Sequence, residues 1–172
     1  IQMGMVPKIF PPFPSRNDID LYAVLKPAKE VGGDLYDFFI EDEKLYFIIG
    51  DVSGKGIPAS LVMSVTCRLF RTMAMLVKSP EKIMASLNDA LSENNESNMF
   101  CTAFVGILDL NTGRLEYCNA GHNAPVVMDL SGVKYMDVEP NLALGLFEGF
   151  PYRAQSCTLE KGNTMFLYTD GV

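Results

Sequence analysis

The sequence predicts an α+β protein built on antiparallel sheets, and three observations carry that expectation. Short apolar or alternating runs of strand length recur about eight times along the chain. Most are joined by turn sequences such as "NTG", "GHN", "SG" and "KGN", which favour hairpin neighbours over long crossovers. Helical periodicity is confined to two consecutive segments, so the helices enter together instead of alternating with strands.

Residues 1–17, "IQMGMVPKIFPPFPSRN", carry four prolines, which forbid a continuous helix beyond about Val6. They read as a helix end and a linker, with room for a longer parent protein upstream. "DIDLYAVLKP" alternates enough to be a strand. "GDLYDFFI" and "KLYFIIGD" flank the polar "EDEK" and form a hairpin. Pro58 suits the first turn of a helix over "PASLVMSVTCRLFRTMAMLV". In that helix Leu61, Val65, Leu69, Met73 and Leu76 recur at helical spacing as the core stripe. "SPEKIMASLNDALSE" is a second helix with Ser79 as its N-cap and no full capping box, since Lys82 stands three residues on. The remaining runs, "FCTAFVGILDL", "RLEYCNA", "APVVMDL", "VKYMDV", "YRAQSCTLE" and "NTMFLYTDGV", all read as strands.

A chain of 172 residues with 48% apolar content supports one domain with a sizeable core, taken to span residues 18–172. No apolar stretch stands out as long enough to cross a membrane, about 18 residues. The net charge of −7 and the absence of a Lys/Arg cluster argue against nucleic acid as a partner. Cys67, Cys101, Cys118 and Cys157 form neither a CxxC pair nor a zinc spacing, and read as reduced thiols of a cytoplasmic protein. His122 is the single histidine, which excludes any two-histidine mechanism within the chain.

Three aspartates share a setting: Asp34 in "VGGDLYD", Asp51 in "IIGDVSGKG" and Asp170 in "FLYTDGV". Each lies beside glycine at the end of a strand-like run, where rigid backbone holds the carboxylate and glycine admits close neighbours. Carboxylates brought together repel one another, and a hard divalent cation such as Mg2+ or Mn2+ removes that repulsion. Taken singly, "TDG" is also a hairpin turn, "GGD" a bulge and "GDVSGKG" a solvated loop. A phosphate-binding P-loop fails, because Lys55 stands where that pattern needs glycine. No EF-hand spacing supports a Ca2+ domain.

"PAKEVGGDLYDFF", "GDVSGKGIPASLVMS", "NAGHNAP" and "LYTDGV", in that order, resemble the PPM-type metal-dependent serine/threonine phosphatases, and among them the bacterial SpoIIE/RsbU-like branch. The resemblance runs from about Ile1 to Val172. It implies a sandwich of two antiparallel β-sheets flanked by α-helices. It further implies two Mn2+ or Mg2+ ions, with Asp34 on one metal, Asp51 bridging both, the Val52 carbonyl as a further ligand and Asp170 as another. In that reading Asp34, Asp51 and Asp170 are the catalytic residues. Ser53 and Lys55 would support the same loop. The implied reaction is hydrolysis of phosphoserine or phosphothreonine by a metal-activated water attacking phosphorus in line. The implied substrate is a phosphorylated regulatory protein, an anti-sigma-factor antagonist, with an upstream sensor or regulatory domain.

His122 lies in the turn of "NAGHNAP", where an imidazole bonded to backbone is the favoured reading over catalysis. The family places switching in the paired helices, here residues 58–95, next to the Asp51 loop. A homodimer through the N-terminal segment is a further expectation. Family members also carry a later "DD" motif, a last strand and a helix, so the C-terminal part of the fold is expected to be missing from this chain. The alternative to an enzyme is a non-catalytic phosphatase-like scaffold that binds a signalling partner; the three aspartates favour the enzyme.

Overall fold

The computed structural model describes residues 4–26 and 32–170. The chain order is β1 (Asp34–Glu41), β2 (Lys44–Val52), α1 (Gly56–Val77), α2 (Pro80–Ser92), β3 (Cys101–Asp109), β4 (Arg114–Ala120), β5 (Val126–Asp129), β6 (Gly132–Tyr135), β7 (Gln155–Thr158) and β8 (Thr164–Phe166). The strands form a five-stranded sheet, ordered β1-β2-β3-β4-β7, and a three-stranded sheet, ordered β6-β5-β8. All strand pairs are antiparallel, as the tight connections predict.

Side-chain alternation divides the large sheet between two cores. Leu35, Phe39, Tyr46, Ile48, Val105 and Ile107 face the helices and pack with Met63, Phe70, Ile83 and Leu87. Phe104, Leu115 and Tyr117 point the other way, towards Met165 and Leu167 at and just after β8. The result is helices on one face of the large sheet and the small sheet on the other: the α+β class read from the residues, in the sandwich form the family resemblance implies.

The β1–β2 hairpin turns on Asp42 and Glu43, both at positive φ, as a two-residue turn of this hand requires. Neither residue is glycine, and each is held by a cation. Lys78 Nζ lies 2.9 Å from Asp42, and Arg16 Nη2 lies 2.8 Å from Glu43. Ser79 is the N-cap of α2, as predicted, but its side chain makes no capping bond; Pro80 follows within the first turn.

Three expectations fail. The helical stripe assigned to the core is only partly inside: Leu69 and Met73 pack against the core, but Leu61 is 61% exposed, Val65 50% and Leu76 70%. The inward face is Ala59, Met63, Thr66, Cys67, Phe70 and Ala74. α1 is apolar on more than one side, so spacing alone does not choose the face; the tilted contact of the Phe70 ring with Phe39 and the reach of Arg71 to Asp37 do. Next, α1 is long and apolar enough to cross a membrane by length and composition, contrary to the sequence reading. Its inner face is nonetheless packed on the large sheet. Finally, residues 18–26 form no strand, and residue 27, which ends the proposed run, lies outside the described residues. A strand there would need the open edge of β1. The edge-facing groups of Phe38 are already taken, its N–H by Asp37 Oδ1 at 2.8 Å and its carbonyl by Arg71 Nη2 at 3.3 Å. The preceding segment packs by side chains instead: Phe10 and Phe13 meet Phe38, and the Tyr36 hydroxyl donates to the Pro7 carbonyl at 2.6 Å.

Candidate metal centre

The two-residue turn fixes the hairpin register, and that register sets Asp34 directly opposite Asp51. The next strand sets Thr102 opposite Asp51 on its other side. Directly paired residues share a face, so Asp34, Asp51 and Thr102 form a row on the side of the large sheet that looks towards the small one. A cleft of about 280 Å³ opens at the end of this row, lined by Asp51, Ser53, Phe100, Thr102, His122 and Asp170 among others. Asp34 stands beside it on β1 and does not line it. None of the described residues lining the cleft is Lys or Arg.

The loop after Asp51 is pinned rather than free. The Ser53 N–H donates to the Phe100 carbonyl at 2.8 Å, and the Phe100 N–H donates to Ser53 Oγ at 2.9 Å. Gly54, at φ 89°, takes the turn that follows. Lys55 stands exposed as the N-cap of α1. Gly33 shows why glycine precedes Asp34: a Cβ there would lie 2.4 Å from the Val52 carbonyl oxygen and 3.1 Å from Asp51 Oδ1. Only a residue without a side chain lets β1 start this close to the Asp51–Val52 backbone.

Burial raises the Asp51 pKa, and the charges of Asp34 and Asp170 raise it further, to about 6. Asp51 is therefore the carboxylate on which the other two act. Among the described residues, no three His, Cys, Asp or Glu side chains close around a single point as metal ligands. The structure thus places Asp34, Asp51 and Asp170 within electrostatic reach of one another without a closed coordination shell. The Val52 carbonyl lies against Gly33, while its side chain is buried on the helix face.

The imidazole of His122 bonds a backbone carbonyl, that of Tyr168, at 3.1 Å, in keeping with a structural role. Burial lowers its pKa. The sequence reading missed Thr102 and Phe100, whose only signal is strand register and loop pairing across the chain, which no local motif reports. Asn119 opens the "NAGHNAP" motif, but its part in holding His122 was not read there. All four cysteines are unpaired, three of them buried, and burial pushes the Cys67 and Cys118 thiols up to about 12.

The raised pKa has a consequence for the metal-free protein. A carboxyl that holds its proton more tightly when folded favours folding at low pH. That contribution is lost as pH rises from the ordinary 3.8 through about 6. With a chelator present, Asp51→Asn is expected to be more stable than wild type above pH 6, and the gap should close as pH falls towards 4. Chemical denaturation of both proteins across this range measures the gap.

The fold and the acidic cleft define a PPM-type phosphatase domain. Residues 41–172 match the Stage II sporulation protein E (SpoIIE) family, and the chain belongs to it, within the SpoIIE/RsbU-like branch. It is 31% identical over 160 residues to the phosphoserine phosphatase RsbU of Bacillus subtilis (strain 168), covering 92% of this chain and 48% of that one. The structure of the RsbU and RsbW domains of a Mycobacterium tuberculosis protein superposes with a TM-score of 0.75 at 26% identity, covering 85% of this chain and 41% of the other. RsbX in complex with magnesium gives a TM-score of 0.71 at 22% identity, over 87% of this chain and 72% of RsbX. The chain spans about half the length of the RsbU relative or less than half in the Mycobacterium structure.

Proposed function

We propose that this chain is the phosphatase domain, residues 18–172, of a metal-dependent protein phosphatase acting on phosphoserine or phosphothreonine. The observation that carries this reading is the acidic row itself. Burial and, after it, the charges of Asp34 and Asp170 on either side raise the pKa of the half-buried Asp51 to about 6. A cleft of this kind repels a phosphomonoester dianion unless cations enter it, and no lysine or arginine among the described residues lines it. The donor chemistry, carboxylate and carbonyl oxygen, fits Mg2+ or Mn2+.

In this reading Asp34, Asp51 and Asp170, with the Val52 carbonyl as a further ligand, would hold the cations, and Asp51 would be the carboxylate they share. Such cations, when bound, would supply Lewis acidity to activate a water and would offset the charge of a phosphoryl group. The chain's own part is placement. The β1–β2 register fixes Asp34 against Asp51, and the Ser53–Phe100 pair fixes the loop that follows. No side chain is needed as a nucleophile, which agrees with cysteines that are buried or half-buried and have raised pKa values. The relative RsbU is named a phosphoserine phosphatase, and RsbX was crystallised with magnesium; both support the reading. We further propose a phosphorylated regulatory protein, an anti-sigma-factor antagonist, as substrate, a sensor or regulatory domain upstream, residues 1–17 as the linker to it, and the cytoplasm as location.

Phosphate release from p-nitrophenyl phosphate and from a phosphoserine protein, followed against Mn2+ and Mg2+ concentration in the full-length protein, tests the activity. Turnover that rises with metal and vanishes with chelator is expected. A folded protein inactive on both substrates with both metals would move the reading to a phosphatase-like scaffold.

A further inference from the structure

His122 stands between the two layers of the sandwich, and its hydrogen bonds run to both. The Asn119 side chain fixes its backbone from either side: Asn119 Oδ1 accepts from the His122 N–H at 3.0 Å, and Asn119 Nδ2 donates to the His122 carbonyl at 2.8 Å. Asn119 is buried, and His122 is 8% exposed, so the ring is aimed and not free to turn. One edge meets the Tyr168 carbonyl at 3.1 Å. A carbonyl only accepts, so Nε2 carries the proton. In the neutral ring Nδ1 is then an acceptor, and the Thr102 hydroxyl donates to it at 2.9 Å. Burial, which disfavours the imidazolium, keeps the neutral form this pattern requires.

The two partners are not incidental positions. Thr102 is the register partner of Asp51 on β3. Tyr168 lies two residues before Asp170. Asp170 itself is exposed, and its segment leaves β8, a three-residue strand paired only with β5 among the described residues. The large sheet has no backbone ladder to that segment in the described strands. The Thr102–His122–Tyr168 contacts therefore bridge the strand that backs Asp51 to the chain that carries Asp170.

We propose that His122 is a positioning residue: by holding the Tyr168 carbonyl it fixes Asp170 relative to Asp51 and so sets the affinity of the cation that Asp170 serves. The inference rests on the metal-dependent reading above. Groups that orient metal ligands change affinity by roughly 10–100-fold when removed.

Mn2+ binding to the full-length protein, measured by calorimetry, tests it with wild type, His122→Asn, His122→Gln, Thr102→Val and Asp51→Asn, each checked for folding by its melting temperature. Gln extends an amide N–H towards the position of Nε2, whereas Asn falls short of the Tyr168 carbonyl. Weakening of Mn2+ binding by roughly 10–100-fold is expected for His122→Asn, with recovery of most of it in His122→Gln. Thr102→Val, which keeps the shape and removes the donor to Nδ1, should weaken binding in the same direction by less. At saturating Mn2+ the turnover of His122→Asn should approach wild type, because placement and not chemistry was lost. Wild-type affinity in folded His122→Asn, or a Gln variant no better than Asn, overturns the role. If His122→Asn does not fold, wild-type affinity in folded Thr102→Val overturns it. A folded wild type that binds no Mn2+ overturns the metal reading and this inference with it. Binding that Asp51→Asn abolishes and His122→Asn leaves intact overturns the positioning role alone.

Discussion

Asp51→Asn is expected to lower metal-dependent phosphate release by about 10³-fold or more, the scale of losing a group that organises transition-state charge. The substitution is close to isosteric, so the β1–β2 pairing around it survives. It removes one negative charge from a place where Asp34 and Asp170 already oppose it. Two measurements should therefore move in opposite directions. Activity and Mn2+ affinity fall, while the metal-free protein becomes more stable above pH 6. A general loss of folding would lower both. Saturating Mn2+ should rescue little, because in the proposed reading Asp51 would be needed by both cations. His122→Asn, by contrast, should be rescued at high metal. The pairing of these outcomes separates a ligand from a residue that places one. Phosphate release as a function of Mn2+, with the melting temperature in chelator, gives both readings.

Much of this site was legible because it is local. A hairpin with a two-residue turn at Asp42–Glu43 forces Glu41 opposite Lys44, and counting outward from that pair brings Asp34 opposite Asp51. The hydrophobic runs and the turn signals give the antiparallel sheets for the same reason: each connection is decided by neighbours in sequence. Asp170 is different. Its approach to Asp51 depends on how the small sheet packs on the large one through Phe104, Tyr117, Met165 and Leu167, and packing of layers has no local signature. Thr102 meets Asp51 across 51 residues of chain, with both helices between, so nothing near "CTAF" marks it. The outward face of α1 was misread because apolar residues occupy two sides of that helix and periodicity is blind to which side has a partner. Residues 18–26 alternate as a strand should, yet the edge they would need is capped by Asp37 and Arg71. An alternating pattern describes a surface with two faces; it does not supply a free edge to pair with.

The same Asp37–Arg71 pair carries the second large prediction, this time on stability. Asp37 is 3% exposed, and its carboxylate is met by Arg71 Nε at 2.8 Å and Nη2 at 2.6 Å in a two-pronged contact. The guanidinium also reaches the Phe38 carbonyl at 3.3 Å and lies 5.2 Å over the Phe39 ring. Arg71→Ala removes all of these and leaves a carboxylate buried without its cation, which costs about 3–5 kcal/mol when one partner of a buried pair is lost. Half-exposure of the arginine lets water reach part of the gap, so the lower end of that range, about 3 kcal/mol, is expected. For a chain of this length that lowers Tm by about 6–12 °C. Replacing both residues, Arg71→Met with Asp37→Leu, should restore most of the loss, since no buried charge is left to desolvate. The pair is thus needed because Asp37 is there. Asp37 is there for a reason the double variant exposes: its Oδ1 caps the Phe38 N–H and helps close the β1 edge. The double variant should regain stability while leaving both edge groups of Phe38 free, and so associate through β1 at concentrations where wild type and Arg71→Ala do not. Sedimentation beside the thermal melts reads the two effects separately. Recovered stability with no added association would leave the pair a fastener of α1 to β1 and nothing more.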